Sequence, residues 1–254
     1  MLKYDDLTGG QVKAFVQKCG GADIVPPVLS GEIVLVRKSS APTATPASPG
    51  FPSFTGFNHW AFLDSWRKFY QEAFTIQLEA RATLLPPMEE ATGAGVVIAG
   101  DVTIEMALTF IQSRTPGERI YRYVPDVDAY INRDAEAPRP DRPYAVWCAP
   151  AVEAIDQAPE IAGKSWEDMA MLESAIPTMN ALEYLVFFAW HLWATKNPLD
   201  MKSVTLTDSL DADGYVLYGR WDGDMAYVDT WHRRDFYSSL RARRIVLPTS
   251  PKAA

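Results

Sequence analysis

The chain has 254 residues and a formal net charge of −8, with 48% apolar, 22% charged and 12% aromatic side chains. Such a balance predicts a soluble globular protein with room for a sizeable core, and its acidic sign argues against a general polyanion binder. Only Cys19 and Cys148 carry thiols, which excludes a disulfide framework and implies a reduced, cytoplasmic protein. The opening residues lack the apolar core of a signal peptide. The longest apolar run, residues 181–194, is interrupted by Glu183 and His191. A spanning helix needs about 20 apolar residues, so no membrane segment is expected.

Taken in order, residues 1–38 read as a small helix-strand unit, with a helix over 11–18 stopped by Gly20 and Gly21 and a strand over 32–37. Residues 39–56 mix Ser, Thr and Ala with Pro42, Pro46, Pro49 and Pro52, the composition of an extended connector. The main domain then runs from 57 to 254. Asn58 is placed to cap a long amphipathic helix to about residue 84, because Phe62, Trp66, Phe69, Ala73, Ile76 and Ala80 recur at three- and four-residue steps. Pro86 and Pro87 end it. A short buried strand is expected at 96–99, a helix from Asp101 to 112, and strands at 120–124 and 144–148. The intervening stretch 132–143 balances three arginines against three acids and reads as a solvated loop.

Ser165 and Asp168 form a capping pair for a helix to 176. After Pro177 comes the strongly apolar helix 178–196, on which Glu183 is expected to occupy an exposed strip. Strands follow at 203–207, 215–221 and 225–231, the last two joined by Asp222-Gly223 as a type I′ turn. A short helix at 236–240 and a strand at 244–247 close the chain. Helices gather in the middle and strands at the end. The fold class expected is therefore α+β: a helical middle packed against a C-terminal antiparallel sheet spanning 203–247, with a small N-terminal unit and a proline-rich connector.

No sequence signature names a reaction. His59, His191 and His232 each neighbour a tryptophan, but none has metal-ligand spacing to another, so partly buried imidazoles are expected and no metal site. Asp211-Ala-Asp213-Gly214 resembles the start of a calcium loop, yet its glycine comes two positions early and the twelfth position lacks glutamate. Gly93 and Gly95 precede a strand instead of following one, so no nucleotide loop and no cofactor is expected. Cys148 reads as a small core residue.

One departure from the acidic background remains. Arg233, Arg234, Arg241, Arg243 and Arg244 cluster after the hairpin with Trp231, Phe236 and Tyr237 interleaved. Arginine and aromatics favour protein interfaces, and the same types hold phosphates and stack bases. The sequence thus supports a non-enzymatic interaction or accessory component of a larger prokaryotic or phage assembly, with a protein partner at Trp231, Arg233, Arg234, Tyr237, Arg241, Arg243 and Arg244. One alternative is a metal-dependent hydrolase or nuclease using Asp222, Asp224 and Asp229 with His232. The other is nucleic-acid binding through residues 233–244.

Overall fold

In the computed structural model the described residues are 58–87, 94–148, 152–154, 164–172 and 177–248, all within one unit, residues 53–254. The expected unit 1–38 and connector 39–56 lie outside them.

Helix α1, His59–Phe74, is capped by Asn58, whose side-chain oxygen accepts from the amides of Trp60 and Ala61. It stops ten residues before the periodicity suggests, because Thr75 turns left-handed (φ 58°). Ile76 and Ala80 still pack on the core, but from irregular chain; the apolar spacing survives where the helix does not. Strand β1 is Ala94–Ile98. Helix α2, Ile104–Arg114, takes Thr103 rather than Asp101 as its cap. Strand β2 is Ile120–Arg122, the single turn α3 is Val127–Tyr130 and β3 is Tyr144–Cys148.

Ser165 and Asp168 bond reciprocally at the head of α4, Trp166–Leu172. Helix α5, Ala181–Thr195, opens with a full capping box, Asn180 and Glu183 each bonding the other's amide. The strands β4 (Val204–Leu210), β5 (Val216–Asp222), β6 (Met225–Trp231), β7 (Leu240–Ala242) and β8 (Ile245–Val246) complete the chain. Residues 232–239 contain no helix, so the expected helix at 236–240 is replaced by a turn leading into β7.

An α+β fold results, with two sheets. The smaller is antiparallel, in the order β1-β3-β8. The larger runs β2-β6-β5-β4-β7. Its centre is antiparallel, as expected, but both edges, β2 on β6 and β7 on β4, pair parallel, which makes the sheet mixed. At the β5–β6 turn Asp222 pairs with Met225, so the loop residues are Gly223 and Asp224. Only Gly223 has positive φ (61°). A type I′ turn needs positive φ at both positions, whereas glycine at the first alone fits type II′.

Helix α5 is the centre of the core and packs against α1, α2, β1, β4 and β5. Against it the large sheet turns Leu217, Trp221, Ala226 and Val228. Its other face carries a smaller cluster, Leu206, Leu210, Val216, Tyr218, Leu240 and Ala242, closed by Trp166 and Met169 of α4. Strand alternation explains the split, since neighbouring side chains point to opposite faces. At Gly219 the approach of α5 is closest: a Cβ there would lie 2.1 Å from Cε1 of Tyr184.

Candidate functional site

Strand β4 and its approach present a buried row of hydroxyls, Ser203, Thr205, Thr207 and Ser209, on the α5 side of the sheet. The alternation with Val204, Leu206 and Leu210 puts apolar groups on one face and hydroxyls on the other. Burying hydroxyls is tolerable only if each finds a partner, and here all do. Ser203 and Thr205 donate to Asp200, at 3.0 and 2.6 Å; Thr207 donates to the Leu217 carbonyl; Ser209 bonds Glu136 and the Ala181 amide.

This row joins two ionic centres. At the first, Asp200 and Arg243 are both 0% exposed and pair at 2.6 Å. Asp200 also accepts from the Ala154 amide and the Tyr184 hydroxyl, at 2.9 and 3.1 Å. Arg243 donates to the Val152 carbonyl and lies 5.3 Å from the Phe187 ring centroid. Its position follows from the chain path, for residues 243 and 244 carry the backbone from β7 in the large sheet to β8 in the small one. Burial raises the Tyr184 hydroxyl pKa well above its usual range, with Asp200 adding to the effect. Burial also lowers the His191 pKa, and the Arg243 charge lowers it further.

The second centre is Glu183, also 0% exposed. Its carboxylate receives Arg139 at 2.8 and 3.2 Å, the Tyr144 hydroxyl at 2.9 Å and the Asn180 amide at 2.9 Å. The expectation of an exposed glutamate is overturned: a guanidinium and two further donors supply the partners that burying a carboxyl group inside an apolar helix requires. Arg139 reaches it from the 132–143 stretch, which is consequently anchored and not simply a solvated loop. Asp208, held up by burial, stands 3.8 Å from the same guanidinium. Beside this centre lies a cleft of about 320 Å³ bordered by Gly100, Arg133, Arg142, Tyr144, Asn180 and Leu182.

The residues expected for metal chemistry do not come together. Asp222 pairs with Arg220 at 2.6 Å and Asp224 with Arg119 at 2.9 Å, both at the β5–β6 turn. Asp229 sits four residues along β6 from Met225, roughly 13 Å at the usual strand rise, and bonds its neighbour's amide, Thr230, at 2.7 Å. His232 lies beyond the end of that strand, accepting from the Arg234 amide at 3.3 Å. Among the described residues no three His, Cys, Asp or Glu side chains are placed to hold a metal ion. Asp211 is occupied in its own turn, accepting from the amides of Asp213 and Tyr215 at 2.9 Å each. His191 is buried with its Nε2 lacking a partner among the described residues, so the three imidazoles differ more than their shared tryptophan neighbours suggest.

The arginine cluster divides by depth. Arg243 is the buried partner of Asp200. Arg241 is buried too, donating one nitrogen to the carbonyls of Ser238 and Leu240 at 2.6 Å each, and burial lowers its pKa. Both are therefore removed from the expected contact surface: β7 is buried on both faces, and Arg243 follows it at the crossing to β8. Arg244 is half-buried, its backbone bridged to Thr178. Arg233 and Arg234 remain exposed and share one carboxylate, Glu167 of α4, at 2.9 and 3.1 Å.

What stays open is aromatic. Phe236 is 69% and Tyr237 56% exposed. Tyr237 stands edge-on to Trp231 with centroids 5.0 Å apart, and Trp231 is edge-on to Tyr218 at 5.9 Å. Tyr218, Trp231 and Tyr237 line, with Val204, Arg220, Ser239 and Leu240, a cleft of about 290 Å³ on the face of the large sheet away from α5. Further along that face Arg220 lies over the Tyr227 ring at 5.2 Å, and Tyr227 meets Tyr121 at 5.2 Å. Tyr218 and Arg220 are absent from the sequence expectation. Their alternation with Leu217 and Gly219 would have placed them beside Trp231, had the turn been centred on Gly223-Asp224. No known protein family, characterised protein or solved structure matches the chain.

Proposed function

We propose that the protein is a non-enzymatic binding component that docks a protein partner on the outer face of its large sheet, around Trp231, Phe236 and Tyr237. The observation carrying this reading is the concentration of exposed aromatic area beside the Tyr218–Trp231 cleft: Phe236 at 69% and Tyr237 at 56% contribute nothing to either core cluster. Clustered exposed aromatics flanked by arginine are the composition of interface hot spots. Two of the five arginines are spent internally and two are tied to Glu167, which leaves little free positive charge for a phosphate backbone. Nor is any helix of the described residues long and apolar enough to cross a membrane.

The test is native mass spectrometry on the chain gently purified from its own host, beside the double variant Phe236→Ser/Tyr237→Ser. A stoichiometric protein partner should accompany the unaltered chain and be lost from the variant. Both side chains are mostly exposed, so the variant's own stability should change by about 0.5 kcal/mol or less. A chain without a partner, or a variant that keeps it, refutes the reading.

A further inference from the structure

We infer that the partner inserts an acidic side chain, Asp or Glu, into the Tyr218–Trp231–Tyr237 cleft; this rests on the docking reading above. The argument starts from two polar atoms in the cleft wall. Nε1 of Trp231 and Nε of Arg220 are shut off from solvent and have no hydrogen-bond acceptor among the described residues. Both atoms only donate, and a buried donor without an acceptor is a standing cost that a bound group can relieve. The occupant must therefore bring lone pairs. A carboxylate brings about four and forms stronger bonds to guanidinium than a neutral carbonyl does.

Arg220 is the cation among the residues lining the cleft, and its Nε is the donor that a carboxylate would take. Apart from Ser239 the remaining wall is apolar and aromatic, Tyr218, Leu240, Val204 and Tyr237, which suits an acidic residue flanked by an apolar one. Tyr237, more than half exposed and touching Trp231 edge-on, is the ring that turns aside to admit it. A nucleic acid fits less well. Its successive phosphates would run past Asp222 at the turn, Asp229 within β6 and Asp235 beyond it, whereas one carboxylate faces Asp229 alone, which the Tyr218 hydroxyl already bonds at 3.4 Å.

The experiment selects random dodecapeptides, displayed on phage, against the immobilised full chain, then measures the selected peptides by fluorescence anisotropy. Enriched peptides should carry Asp or Glu next to an aliphatic or aromatic residue. Changing that residue to its amide should weaken binding about tenfold, the scale of one charge-assisted hydrogen bond. Trp231→Phe, which keeps the ring and removes the donor, should weaken it comparably, and Arg220→Gln supplies a second variant if the first perturbs the sheet. Neutral peptides whose binding still needs Tyr237 would overturn the acidic inference and leave docking standing. Peptides indifferent to both Phe236 and Tyr237, or none at all, would overturn docking itself. A fluorescein-labelled single-stranded oligonucleotide binding more tightly than every acidic peptide, with a steep salt dependence, would replace the protein partner with nucleic acid.

Discussion

Replacing Arg243 with methionine removes the only cation paired with Asp200 among the described residues and leaves a fully buried carboxylate. Breaking one side of such a pair typically costs 3–5 kcal/mol, roughly. Four neutral donors still face the carboxylate: the Ala154 amide and the hydroxyls of Ser203, Thr205 and Tyr184. They place Arg243→Met near the lower end, about 3 kcal/mol. Asp200→Asn tests the opposite side cleanly, because Asp200 holds a left-handed backbone (φ 54°) that asparagine also tolerates. Its amide nitrogen would turn toward Thr205 and Tyr184, whose hydroxyls can rotate to accept, while its oxygen stays on the Ala154 amide. Arg243 would then face a neutral amide oxygen in place of the carboxylate oxygen it now bonds, so the charge of the pair is lost while the hydrogen bond remains. Urea unfolding followed by far-ultraviolet circular dichroism should show each single variant losing about 3–5 kcal/mol at unchanged m, or a melting point lower by roughly 6–20 °C. The double variant should cost less than the sum by about 2 kcal/mol. Single losses under about 1 kcal/mol, or additive ones, would refute the claim that the pair closes the crossing between the two sheets.

Other consequences are equally direct. The lowered His191 pKa means the folded chain binds fewer protons than the unfolded one, so its stabilisation is present above the unfolded value of about 6.5 and is lost as pH falls through the folded value; His191→Leu should flatten that acid limb in pH-dependent melts. Gly219→Ala drives a methyl group into the Tyr184 ring, with a 2.1 Å approach, and should cost about 1–3 kcal/mol or more, part of it recovered when Tyr184→Leu is added. The Cys148 thiol, pushed up to about 12 by burial, should resist Ellman's reagent at pH 8 in a Cys19→Ser background and react only on unfolding; rapid native labelling would show that β3 opens.

How far these features are legible in the sequence depends on the range of the interactions that fix them. The capping of α1 by Asn58 and of α4 by Ser165 involves residues two or three apart, and those two starts follow from composition, whereas the caps of α2 at Thr103 and of α5 at Asn180 go unread beside Asp101 and Pro177. The stop of α1 at Thr75 has no glycine or proline to announce it. Glu183 looks like an exposed strip residue because its partner, Arg139, is 44 positions away in a stretch whose balanced charge reads as solvated. The same holds for Arg243, whose partner Asp200 lies 43 positions upstream. A run of arginines carries no label separating those that are buried from those that face out.

Strand alternation is local, however, and that makes the hairpin the exception. Once the turn is centred on Gly223 and Asp224, antiparallel pairing sets Val216 opposite Trp231, Tyr218 opposite Asp229 and Arg220 opposite Tyr227. Every second residue then falls on the α5 side, where Gly219 makes room for Tyr184, and the others fall on the open face. A one-residue error in the turn exchanges the two faces: it would bury Tyr218, Arg220 and Trp231 against α5 and turn Leu217 and Trp221 to the outside. The cleft, the exposed rings and the unpaired donors thus trace to the register set by one turn, with Gly223 supplying the positive φ that turn requires.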